Sequence, residues 1–290
     1  MSQRPPSGEG GAVGPLWRIA IFILACSVGV LGLRVLMSPL SEWIESISGV
    51  RLPSFVLTLS GGMLIGHWWT FRVVESRRWR SVSLDRSAFT LRKVATGAAL
   101  GAAAVGLPSA LLLGIGWLRL EPMPPGNLWT GALMSLALLL PAALWEELLT
   151  RGYLFAVVRD RFGARIAIVA TAILFGVMHL ENAGATLQSV TLVTVAGIFL
   201  GTILVSLQSL YAAWAAHVAW NFVMAGVMHT SVSGIGMGTP NYRTVDAGPD
   251  WATGGVWGPE AGVFAGVGMA LAVFFLLRRG TRHGARSDDG

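Results

Sequence analysis

Charge is scarce in this sequence. Of its 290 residues, 53% are hydrophobic and only 12% are Asp, Glu, Lys or Arg. A soluble domain carries about 25% charged residues, so a water-covered globular protein is excluded. Cysteine is nearly missing as well: the single Cys26 leaves no partner for an intramolecular disulfide. "FILAC" before Cys26 is too short an apolar core for a cleaved lipoprotein signal, and the run continues past it, so an uncleaved first helix is expected. Lysine occurs once against twenty arginines.

What is present is apolar sequence in long runs. Mean hydropathy is +0.63, and runs of about 20 residues, enough for a bilayer core of roughly 30 Å, recur along the chain. The reading is an all-α polytopic membrane protein of about eight transmembrane helices, over residues 17–38, 53–73, 94–118, 128–157, 164–180, 187–207, 210–228 and 260–277. Residues 1–14 are a disordered cytoplasmic N-terminus by composition, 15–280 a single membrane domain, and 281–290 a cytoplasmic tail. The Gly-rich stretch 232–258 reads as an extramembrane loop.

The net charge of +6 and the pI of 10.6 could suit nucleic acid, but the basic residues sit between apolar runs and read as loop anchors. Seventeen fall on the side of both termini: Arg4, Arg18, Arg72, Arg77, Arg78, Arg80, Arg86, Arg92, Lys93, Arg151, Arg159, Arg161, Arg165, Arg278, Arg279, Arg282 and Arg286. Three fall opposite, Arg51, Arg119 and Arg243, and Arg34 is intramembrane, placed to snorkel. The asymmetry predicts cytoplasmic termini in a cell inner membrane, with the lipid bilayer as partner and no nucleic acid.

Against this background the stretch "LWEELLTRGYLF" is anomalous, because it puts Glu146, Glu147 and Arg151 into the end of an uncharged run. A charge at mid-span costs at least ~2.5 kcal/mol and is functional by default. Glu147 and Arg151 are four apart with the acid N-terminal, the favourable order for an ion pair. Glu146 points about 100° away and is left for chemistry. Glu147 and His179 each lie sixteen residues from Gly163 in the turn "DRFGAR", so roughly 24 Å from its tip. His217 and Asn221 lie roughly 12 and 18 Å beyond a turn at Ser209. Three helices thus converge on one cytoplasm-facing half-membrane zone. Each residue has a plainer reading: an ion pair for Glu147 and Arg151, core histidines for His179 and His217, interhelical glue for Asn221. Their convergence favours a site. His67, beside Trp68 and Trp69, reads as interfacial; Glu181 and Asn182 read as supporting the site, and His229 lies at the far end of its span.

A buried carboxylate beside an imidazole can activate water, and a second His with an Asn amide can hold an oxyanion. Together they suit amide hydrolysis without a Ser, Cys or Thr nucleophile. No HExxH zinc motif occurs; the aspartates near "AGPD" lie in a polar loop rather than forming an intramembrane pair; Ser233-Gly234 lies in the Gly-rich loop rather than beside a membrane His.

"EELLTRG", "FGVMH" and "HVAWN" occur in this order on neighbouring helices, and they resemble the EExxxR, FxxxH and HxxxN/D motifs of the CPBP family, the CAAX prenyl protease 2 and Abi type of membrane endopeptidase. The likeness covers about 145–222, inside a core of about 128–228. It implies an eight-helix intramembrane endopeptidase in which Glu146 and His179 activate water, Glu147 and Arg151 support them, and His217 and Asn221 bind the oxyanion. It implies a membrane-embedded or membrane-anchored peptide or protein as substrate. No cofactor is expected; the alternative is zinc on Glu146, His179 and His217. The Arg and Gly richness suggests a GC-rich bacterium, where prenylated substrates are not expected. The competing class is a transporter using Glu146, His179 and His217 as a proton relay.

Overall fold

The computed structural model describes residues 14–49, 52–238 and 240–285. The expected disordered segment therefore lies, apart from Gly14, outside the described residues. Helix α1 (Pro15–Ser48) starts on a proline and stops at Gly49, whose left-handed backbone (φ 69°) turns the chain. Helix α2 (Ser54–Trp69) runs back beside it and continues as a π turn through Val74. Helix α3 (Leu91–Gly114) is capped by the Thr90 hydroxyl, which accepts the Lys93 amide at 3.3 Å.

Strand β1 (Leu118–Pro122) precedes helix α4 (Leu128–Glu147). Asn127 caps that helix by accepting the amides of Trp129 and Thr130 at 2.9 and 3.2 Å. A π segment, Leu148–Tyr153, leads into α5 (Leu154–Phe162), and Gly163 turns the chain into α6 (Ala164–Val177). Helix α7 (Leu187–Leu207) opens on a capping box of Thr186 and Ser189. Helix α8 (Leu210–Phe222) begins at Ser209 and ends in a π turn through Met228. Strand β2 (Tyr242–Asp246), helix α9 (Asp250–Thr253) and helix α10 (Val263–Ala285) follow.

The all-α membrane reading holds, and each expected span falls on a helix. Five helical stretches are long and apolar enough to cross a bilayer: Pro15–Ser48, Leu91–Gly114, Leu128–Phe162, Leu187–Leu207 and Leu210–Met228. Ala164–Val177 and Val263–Arg278 are apolar but shorter. The outward-facing Leu24, Leu36, Leu107, Leu133 and Leu271 form the surface lipid requires.

Two apolar cores flank the middle of the molecule. One joins α3, α7, α8 and α10 through Val105, Phe199, Ile203, Ala216, Trp220 and Met269. Helices α3 and α8 meet closely because a Cβ on Gly101 would run into the Ala216 carbonyl. The other joins α1 and α2 to the α4–α5 rod through Phe22, Cys26, Met63, Phe71, Leu148 and Tyr153.

The Gly-rich stretch differs from its reading as a plain loop. Tyr242–Asp246 pairs antiparallel with Leu118–Pro122, Leu118 opposite Asp246 and Pro122 opposite Tyr242. Trp257 and Glu260 are buried beneath it. The hydrogen bonds of this strand come from a partner more than a hundred residues away, which composition cannot reveal.

The molecule has two ends. One carries the start of α1, residues 75–90, the Gly163 turn and the Ser209 turn. There Glu75 accepts hydrogen bonds from Arg18 and Tyr153 and pairs with Arg77 at 2.6 Å. The other carries the small sheet, residues 178–186 and residues 229–262.

Candidate active site

Every residue of the three motifs comes to the contact between the two cores. The end of α4 supplies Glu146 and Glu147, the π segment Arg151, the end of α6 Phe175 with His179 just beyond it, and α8 His217 and Asn221. Glu147 and Arg151 are both fully buried. Arg151 Nη1 donates to Glu147 Oε1 at 3.1 Å and to Thr150 Oγ1 at 2.6 Å, and Nη2 donates to the Gly197 carbonyl at 3.0 Å. The guanidinium lies 4.4 Å from the centre of the Phe175 ring. Further hydrogen bonds support this buried ion pair, although Glu147 Oε2 and Arg151 Nε have no hydrogen-bond partner among the described residues.

Glu147 has a second partner. His217 Nδ1 lies 3.0 Å from Glu147 Oε1, and because a carboxylate only accepts, Nδ1 carries the proton. That fixes the ring so that Nε2 faces Glu146 Oε2 at 3.8 Å. His179 is fixed in the same way, with Nδ1 donating to the Phe175 carbonyl at 2.7 Å. Phe175 therefore serves three neighbours: its carbonyl orients His179, its face meets Arg151, and its ring packs edge-on against His217 at 5.7 Å.

Glu146 stands apart. Its side chain keeps 17% exposure, and Oε2 has no hydrogen-bond partner among the described residues. A cavity of about 310 Å³ meets Glu146, His179, His217 and Asn221, with apolar walls that include Leu138, Trp145 and Met237. It reaches Phe55 at the start of α2 and Ile235, at the end opposite the Gly163 turn. The zone expected to face that turn opens away from it. The depths along the helices gave distance from the turns and not the direction of access. Helix α6 has 14 residues, about 21 Å, and His179 stands where it stops, so the chain beyond it leaves room on that side.

Three further residues separate from their sequence readings. His67 is fully buried rather than interfacial. Its Nδ1 donates to the Met63 carbonyl at 2.7 Å, and its Nε2 accepts the Tyr153 amide at 3.1 Å. That amide is available because Gly152, with φ −83° and ψ −120°, breaks the helical backbone. A histidine acceptor for a π segment leaves no signature in a sequence. Ser233 does line the cavity beside His179 and His217, contrary to its assignment away from them, but its hydroxyl donates to Glu260 Oε1 at 2.7 Å. Glu260, which sequence reading missed, also accepts Trp220 Nε1 at 2.9 Å and Trp257 Nε1 at 3.2 Å. It looks like a solvent acid in its Gly-rich context. Of the two supporting residues expected after His179, Asn182 holds the Ser233 carbonyl at 2.9 Å, whereas Glu181 is exposed.

Among the described residues, no three His, Cys, Asp or Glu side chains are gathered as a metal-ligand group. In the set Glu146, His179 and His217 both Nδ1 atoms are committed to protein acceptors, which leaves Nε2 of each ring for other partners.

No curated protein matches the chain. Residues 127–223, which contain all three motifs, match the family model described as type II CAAX prenyl endopeptidase Rce1-like. The ordered motifs and this match agree: through residues 127–223 this multi-pass helical membrane protein is similar to the Rce1-like family of type II CAAX prenyl endopeptidases.

Proposed function

We propose that the protein is an intramembrane endopeptidase that hydrolyses a peptide bond of a membrane-associated polypeptide without a metal. One observation carries the assignment of roles: Glu147 is fully buried with Oε1 held by Arg151 and His217, whereas Glu146 keeps 17% side-chain exposure and lines the cavity. Glu146 removes a proton from a water that His179 helps orient, and the hydroxide adds to the scissile carbonyl carbon. His217, its Nδ1–H given to Glu147, carries a second proton on Nε2. That Nε2–H and the Asn221 amide hold the oxyanion. Protonated Glu146 then passes its proton to the leaving amine as the C–N bond breaks, which restores the carboxylate. The basic asymmetry supports both termini being cytoplasmic in a cell inner membrane.

The test is cleavage of a tagged membrane-peptide library by purified protein. Glu146→Gln keeps the shape and removes the proton acceptor, so turnover falls by roughly 10²–10⁴-fold with the melting temperature unchanged. Chelation leaves the wild-type rate intact. Normal cleavage by Glu146→Gln, with Glu147→Gln inert but folded, would mean the carboxylates have exchanged roles. Loss with chelator that zinc alone restores would return the metal reading.

A further inference from the structure

We propose that the catalytic cavity takes its substrate from the non-cytoplasmic side, so that the substrate class is an apolar segment in the outer half of the bilayer. The peptidase reading supplies the word substrate here; the side of access stands on separate observations.

The first observation is the cavity itself. Its rim is built from residues of the sheet end: Phe55, Asn182, Ser233, Ile235 and Met237. Phe55 and Ile235 are 69% and 59% exposed, so the rim is open. Helix α6 stops about 21 Å from its turn, short of a bilayer core of roughly 30 Å, so residues 178–186 dip toward the site from that same end.

The second is a seal on the other side. Below Glu146 the fully buried Glu147 and Arg151 join Leu148, Tyr153 and Phe155, all almost entirely buried. A separate cavity of about 350 Å³, lined by Arg80, Lys93 and Arg159, opens at the Gly163 end and stops at Arg151. Arg151 has no exposed surface, and the two cavities share no lining residue.

The third is charge. Arg72, Arg77, Arg78, Arg80, Arg86 and Lys93 gather at the sealed end, together with Arg159, Arg161 and Arg165. At the open end the described basic residues are Arg119 and Arg243, and Arg243 is paired with Glu121 at 2.7 Å. Basic loops stay cytoplasmic. The open end is therefore the outer one. An extended polypeptide with apolar side chains fits walls made by Val56, Leu138, Leu139 and Trp145. A modified tail presented from the cytoplasm meets the seal instead.

The experiment uses the full chain with Cys26→Ala as a cysteine-free background. Ile235→Cys and Arg86→Cys are each treated with a membrane-impermeant maleimide in spheroplasts and in inverted vesicles. The expected result is label on Ile235→Cys only in spheroplasts and on Arg86→Cys only in inverted vesicles. Label on Ile235→Cys only in inverted vesicles would overturn the proposal. Membranes holding the unlabelled Cys26→Ala protein, with Ile235 and Arg86 intact, receive single-span tagged peptides whose variable segment lies in the outer or the inner half. Cleavage confined to the outer series supports the proposal, and cleavage confined to the inner series overturns it. If neither is cut while the labelling holds, the side of access stands and the peptidase reading fails.

Discussion

Removing Glu147 and Arg151 one at a time, and then together, tests whether they form a buried charge pair with a neighbour to orient. Arg151→Leu leaves the Glu147 carboxylate with only His217, and Glu147→Leu leaves the guanidinium with Thr150 and the Gly197 carbonyl. Stranding one member of such a pair costs about 3–5 kcal/mol. Replacing both by leucine removes the charges together, which is close to neutral for a buried pair. What remains is the lost acceptor for His217 Nδ1–H, about 1–3 kcal/mol. The double variant is thus expected to be more stable than either single one, while all three fail to cleave because His217 is no longer held. Denaturation in one detergent, with cleavage measured on the same preparations, reads both quantities. Losses that simply add, so that the double variant falls below both singles, would refute a buried pair. Full activity in the double variant would refute the orienting role.

Two other perturbations follow from the same geometry. His67→Leu fills a similar space but leaves the Tyr153 amide without an acceptor, so a loss of about 1–3 kcal/mol is expected; a melting temperature equal to wild type would show that the bond contributes nothing. Burial works to raise the pKa of Glu75, but the hydrogen bonds from Arg18 and Tyr153 and the charge of Arg77 outweigh it and hold the carboxyl below its ordinary value. A carboxyl lowered in the folded state stabilises fully above its unfolded pKa, about 4.3, and progressively less as pH falls below it. Stability measured from pH 6 downward should therefore decline more steeply in wild type than in Glu75→Gln, and parallel curves would refute a stabilising role for the Glu75 cluster.

The helices were legible because lipid demands long apolar runs, and the candidate site was legible because charge in such runs is rare. Glu146, Glu147, Arg151, His179, His217 and Asn221 could be found by depth counting from Gly163 and Ser209, since helical rise is constant. His67 escaped because its partner is a backbone amide freed by the break at Gly152. Glu260 escaped because its partners, Trp220, Trp257 and Ser233, meet only once residues 229–262 fold back over α8. The direction of the cavity escaped because it depends on where α6 ends, and "FGVMH" contains no residue that forces a stop.

The π segment Leu148–Tyr153 sets one more condition on the chain. It wedges a surplus residue into the rod between the paired acids and the Gly163 turn, with a ladder that skips to the fifth neighbour and a kink at Gly152. Delete any one residue there and the ladder can relax to the ordinary α spacing, turning everything on one side by about 100° against the other. Either the acids would swing toward lipid or the Gly163 hairpin would leave its seat. The stretch can accept many changes of letter but no change of count: it works as a phase lock, and a one-residue gap there would be more damaging than most substitutions.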